Sequence, residues 1–66
     1  MIALQFRKEG DRRDRRFVTR VNRKIFFSQY AKNALKFDTV GEAAIFRNSK
    51  IRQIENDEFF FTVKLG

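Results

Sequence analysis

Apolar and polar residues alternate along much of this chain. Over residues 1–7, Ile2, Leu4 and Phe6 alternate with Ala3, Gln5 and Arg7, the period of two that marks a strand with one buried face. Residues 16–21 repeat the pattern, with Phe17, Thr19 and Val21 on one side and Arg16, Val18 and Arg20 on the other. Asn22, Arg23 and Lys24 interrupt it, and residues 25–30 resume it, so 16–30 reads as a hairpin. A three-residue loop at 22–24 sets Val21 opposite Ile25 and Thr19 opposite Phe27. On the other face it sets Arg20 opposite Phe26, Val18 opposite Ser28 and Arg16 opposite Tyr30. A loop one residue shorter would pair Val21 with Lys24 and mix the two faces. Residues 51–55 and 58–65 read as two further strands around a turn at Asn56 and Asp57, with Phe59, Phe61, Val63 and Leu65 on one face.

One segment breaks the period of two. After a short turn over 31–36 and Phe37, the run Asp38-Thr39-Val40-Gly41-Glu42 is a helix start. Either Asp38 caps the first turn, or Thr39 and Glu42 form the reciprocal box that satisfies unpaired backbone amides. The helix is expected to reach about Asn48, resting on Val40, Ala43 and Ala44 with Phe46 at the flank. The order is βββαββ: an α+β fold of one small antiparallel sheet with a single short helix on one face. Its 66 residues leave room for one domain, with the highly charged stretch 8–15 as a loop.

Nine of the ten aromatic residues are Phe, and each ring can bury about 150–200 Å², so Phe17, Phe27, Phe59 and Phe61 are the expected core. Packing has to supply the stability, because the chain has neither Cys nor His. Their absence removes disulfides, the usual zinc ligands and the imidazole base of Ser and Cys nucleophiles. Carboxylates remain, but Glu55, Asp57 and Glu58 precede Lys64 without the Glu that a metal-nuclease strand carries two residues before its Lys; Thr62 stands there. Asp38 and Glu42 serve better as helix caps than as cation ligands, and Gly10 and Gly41 are isolated, so no phosphate-cradling loop exists. No enzyme, cofactor or metal is expected. No apolar run approaches the ~20 residues of a membrane span, and a cytoplasmic location is expected.

Charge sharpens this. The net charge is +7, and residues 1–24 hold nine of the basic residues against three acids. Such a cluster suits phosphate backbones or acidic protein surfaces. The expected contact residues are Arg7, Lys8, Arg12, Arg13, Arg15, Arg16, Arg20, Arg23 and Lys24. On the outer face of the hairpin Arg16, Arg20, Phe26 and Tyr30 come together, and Phe60 points outward as well. Rings interleaved with guanidiniums bind single-stranded nucleic acid by stacking bases and following phosphates. The same arrangement also stabilises a sheet through cation–π contact, or joins two copies of the chain as a homodimer.

The stretch Lys32-Asn33-Ala34-Leu35-Lys36-Phe37-Asp38-Thr39-Val40-Gly41-Glu42-Ala43 resembles a pattern in small bacteriophage accessory proteins, in which a hairpin is followed by A-x-x-F-[DS]-x-x-E-A, a helix and a closing strand. Gly41 departs from it, standing where a better helix former is usual, and the basic segment before Phe17 lies outside it. The resemblance implies a phage or mobile-element setting, where such proteins occlude host nucleic-acid machinery or defence enzymes such as CRISPR effectors. It carries no catalytic residue. The expected function is a non-enzymatic basic protein that binds nucleic acid or a nucleoprotein complex. The alternative is an inhibitor of a host defence enzyme that acts by protein contact alone.

Overall fold

The computed structural model describes residues 1–7 and 15–65. Strands β1 (Ile2–Arg7), β2 (Arg15–Asn22), β3 (Lys24–Ser28) and β4 (Phe60–Lys64) form one antiparallel sheet in the order β3-β2-β1-β4. Helix α1 (Val40–Phe46) packs on one face against β1 and β4. The fold is α+β, a four-stranded antiparallel sheet with one short helix. Arg15 opens β2 rather than closing the charged loop, and the rest of that loop lies outside the described residues.

Alternation in β1 sends Ile2, Leu4 and Phe6 toward the helix. There Ile2, Leu4, Val18, Ala43, Ile51 and Phe60 form the buried core, with Phe6, Val21, Ile25, Phe27, Phe37 and Phe46 packed around it. The hairpin register holds near the turn, where Val21 pairs with Ile25 and Arg20 with Phe26. It then shifts by one. A bulge between Val18 and Arg20 leaves Thr19 unpaired, so Val18 meets Phe27 and Phe17 meets Ser28. The shift reverses the faces beyond it: Val18, not Phe17, is fully buried, and Phe17 turns away from the helix.

A bulge bends and twists its strand, and here the bend draws β2 away from β1. The two pair only through Gln5, Phe6 and Arg7 with Phe17, Arg16 and Arg15. Residues 35–37 fill the gap. The Leu35 amide donates to the Val18 carbonyl (2.9 Å), while Ile2 and Phe37 exchange two backbone bonds of 2.8 and 2.7 Å. To reach this gap from β3, the chain has to cross β2. The Asn33 side-chain amide donates to Ser28 Oγ (3.2 Å), and Ser28 shares the face of Phe17, so the crossing runs over the side away from the helix.

Thr39 is the helix cap: its Oγ1 accepts the Glu42 amide (3.1 Å), and the Glu42 carboxylate accepts the Asp38 amide (3.3 Å). Ala43 is the buried contact of α1, and Phe46 tilts onto Phe37 at 5.2 Å. Val40, expected in that face, is exposed. Beyond Phe46 the helix widens over Arg47–Ile51, the Arg52 amide reaching back five residues to the Arg47 carbonyl (3.1 Å), and Ser49 Oγ donates to the Ile45 carbonyl (2.7 Å). This continuation buries Ile51 completely.

The strand expected at 51–55 does not form. Ile54 and Glu55 instead donate their amides to the Ile51 carbonyl (2.9 and 3.0 Å), closing the end of the helix. The faces of β4 are likewise the reverse of those expected. Its register sets Phe60 opposite Phe6 and Phe61 opposite Gln5, so Phe60 is 1% exposed and Phe61 42%. The Phe60 ring lies 5.2 Å from Phe6 and 6.2 Å from Phe27. Phe59, half-buried, only edges Phe6 at 6.3 Å.

Candidate nucleic-acid interface

The four strands hold six basic residues and no acidic one: Arg7, Arg15, Arg16, Arg20, Lys24 and Lys64. The described carboxylates sit elsewhere, around the helix start and in the turn before β4. There the carboxylates of Glu42, Asp57 and Glu58 are engaged in local structure. Asn56 caps the Glu58 amide (3.0 Å) and donates to its carboxylate (3.2 Å), and Asp57 lies 3.8 Å from Arg47. Arg47 also donates to the Phe60 carbonyl (3.2 Å), tying the widened helix to the beginning of β4.

On the sheet face away from the helix the cations gather around rings in two places. One lies on the hairpin, where the Arg20 guanidinium is 4.4 Å and the Lys24 ammonium 5.1 Å from the centre of the Phe26 ring. Arg23 forms the hairpin tip in a left-handed conformation, φ 62°. The other lies on β1 and its neighbours. Arg7 stands directly across from Arg15, and its guanidinium lies 5.3 Å from the centre of the Phe61 ring. Arg7 Nε also donates to Gln5 Oε1 at 2.6 Å. Among the described residues, none of Arg7, Arg15, Arg20, Arg23 and Lys24 has a carboxylate partner.

The structure regroups the expected residues. Arg20 and Phe26 meet as the hairpin register predicts. Arg16 does not join them: it pairs with Phe6 in the ladder, and its guanidinium lies 5.5 Å from the ring of Phe27, on the helix side. Because β3 ends at Ser28, Tyr30 has no cross-strand partner. It lies in the crossing connection, exposed, with the Lys32 ammonium 5.8 Å from its ring centre. Lys8, Arg12 and Arg13 lie outside the described residues. Sequence reasoning missed Gln5 and Phe61. Phe61 was available from the sequence, since in the triplet Phe59-Phe60-Phe61 the strand can bury either neighbour of the central ring.

The outward residues of β4, Phe61 and Val63, are more apolar than its inward set of Phe60, Thr62 and Lys64. Phe61 is exposed and Val63 half-buried, and an exposed ring of this kind is a surface suited to a partner. Among the described residues no helix is long and apolar enough to cross a membrane. Comparison with protein-family models, curated proteins and solved structures finds no match.

Proposed function

We propose that this protein is a non-enzymatic binding protein for single-stranded nucleic acid, and that it grips the strand with the sheet face opposite its helix. The observation that carries this reading is the pair Arg7 and Arg15, set directly opposite one another beside the exposed Phe61 ring. Like charges across a ladder destabilise the free protein, and a phosphate between them converts that repulsion into attraction. Phe61 and Phe26 supply flat apolar surface on which bases stack, while Arg7, Arg15, Arg20, Arg23 and Lys24 follow the backbone. The resemblance of residues 32–43 to phage accessory proteins supports a phage or mobile-element setting, and host nucleic acid or a nucleoprotein machine is the target consistent with it.

Titration of a labelled oligonucleotide at several salt concentrations tests the reading. Binding should weaken steeply with salt, because each phosphate neutralised on a single strand contributes about −0.7 to the logarithmic slope. Absence of binding to single-stranded DNA and RNA at low salt would overturn it. The cationic face would then be a surface for an acidic protein, as in an inhibitor acting by contact alone.

A further inference from the structure

Strand β4 ends the sheet, so one of its edges pairs with β1 and the other faces outward. Which backbone groups lie on the outer edge follows from the ladder, because along an antiparallel strand successive residues direct their N–H and C=O alternately toward the partner and away from it. The Leu65 amide donates to the Met1 carbonyl (2.7 Å), and Ile2, the ladder partner of Lys64, exchanges its backbone bonds with Phe37 on the β2 side of β1. Leu65, Val63 and Phe61 therefore bond toward β1, and Lys64, Thr62 and Phe60 turn their groups outward. The contacts of Phe60 have the same phase: its amide donates to the Asp57 carbonyl and its carbonyl accepts from Arg47 (3.2 Å). That end of the edge is closed. Thr62 and Lys64 are left with two donors and two acceptors that have no partner among the described residues.

We propose that this open edge is a self-association site, at which β4 pairs antiparallel with β4 of a second copy about a twofold axis at Val63, joining two sheets into one. The edge is distinct from the proposed nucleic-acid face, and the pairing does not depend on that function. Edge strands are ordinarily guarded by proline, bulges or clustered charge. Here the chain has no Pro, the β1–β4 register runs without a break, and Lys64 is the one charge in β4. A second copy is the occupant because the free groups are complementary to themselves. With the axis at Val63, Thr62 of each copy faces Lys64 of the other and exchanges both backbone bonds with it, so every free group of the edge is satisfied. Neighbouring registers fail. An axis at Thr62 brings Lys64 to Phe60, whose backbone groups are already taken, and an axis at Lys64 sets like charges directly opposite. The Val63 axis also places the two Val63 side chains in a non-hydrogen-bonded pair, where side chains approach most closely. Lys64 is exposed and keeps its ammonium in water.

Sedimentation equilibrium and amide hydrogen exchange, each at low and high protein concentration, test the pairing. The mass should rise with concentration from that of one chain toward that of two, and more readily in high salt, since each copy carries +7 and screening relieves their repulsion. The Thr62 and Lys64 amides should exchange freely at low concentration and become protected as the dimer forms, whereas the Val63 amide, bonded to β1, stays protected throughout. Thr62→Pro removes an outward N–H and no bond to β1. This variant should unfold near the wild-type temperature and associate at least about tenfold more weakly, two hydrogen bonds being lost per dimer. Lys64→Pro makes the same change at the end of the strand and serves if Thr62→Pro does not fold. A mass of one chain at every concentration, undiminished association of the folded proline variant, or a dimer whose Thr62 and Lys64 amides still exchange freely would overturn the proposal.

Discussion

Arg7 and Arg15 are direct cross-strand partners in the β1–β2 ladder, on the same face, with no carboxylate between them among the described residues. A sheet gains nothing by this; opposed like charges cost a few tenths to about 1 kcal/mol. Arg15→Thr should therefore raise stability by about 0.2–1 kcal/mol in urea denaturation, while lowering affinity for single strands. Equal stability and undiminished binding in the variant would remove the Arg pair as a binding element.

Adjacent rings of β4 should respond in opposite ways to truncation. Phe60→Ala deletes a ring in contact with Phe6 and Phe27, and should cost about 3–5 kcal/mol, much of what a small domain possesses. Phe61→Ala removes an exposed ring that touches Arg7, and should cost about 1 kcal/mol or less. Comparing the two unfolding midpoints tests the register of β4 directly. A Phe61 variant as unstable as the Phe60 variant would mean that the outer face is covered.

What the sequence could and could not reveal follows from the range of each interaction. Strand β1, the hairpin turn with its Val21–Ile25 and Arg20–Phe26 pairs, and the Thr39 cap are set by neighbours in the chain, and alternation and capping chemistry make them legible. The bulge at Thr19 is not, because it answers to the distant segment 35–37, which needs the space that β2 leaves. The faces of β4 are decided by pairing with β1 at the other end of the chain, and local pattern pointed the wrong way because the outward residues are the more apolar. Ile51 and Ile54, three residues apart, carried a helical spacing that an expected strand concealed. The candidate site inherits each of these shifts. Arg16 left it with the bulge, Tyr30 with the end of β3, and Phe61 entered with the register of β4.

Arg23 takes a left-handed backbone at the hairpin tip, a conformation that costs a residue with a Cβ roughly 1–2 kcal/mol and glycine almost nothing. Arg23→Gly should thus stabilise the fold by up to about 1 kcal/mol, the unfolded glycine's extra freedom offsetting the remainder. Thermal unfolding would detect a gain of this size in so small a domain. If the strained Arg is there for its charge, the more stable variant should bind a single strand with a salt slope shallower by no more than one phosphate's worth, about 0.7.

Cations and rings of the interface should separate cleanly in binding experiments, since they act through different physics. Replacing Arg7, Arg20 and Lys24 with Gln leaves phosphates un-neutralised, so affinity should fall for every sequence and the salt slope should flatten by about 0.7 for each cation that had neutralised one. Phe26→Ala and Phe61→Ala remove stacking platforms and should each cost about 1–3 kcal/mol in single-strand affinity. Their salt slopes should stay near that of wild type, because a neutral ring releases no counterions. Arg16→Gln serves as the internal control. Its guanidinium lies by Phe27 on the helix side, so it should flatten the slope less than any cation of the opposite face. If instead Arg16→Gln lowers affinity as much as Arg7→Gln, the binding surface includes the helix side, and the assignment to the opposite face is wrong.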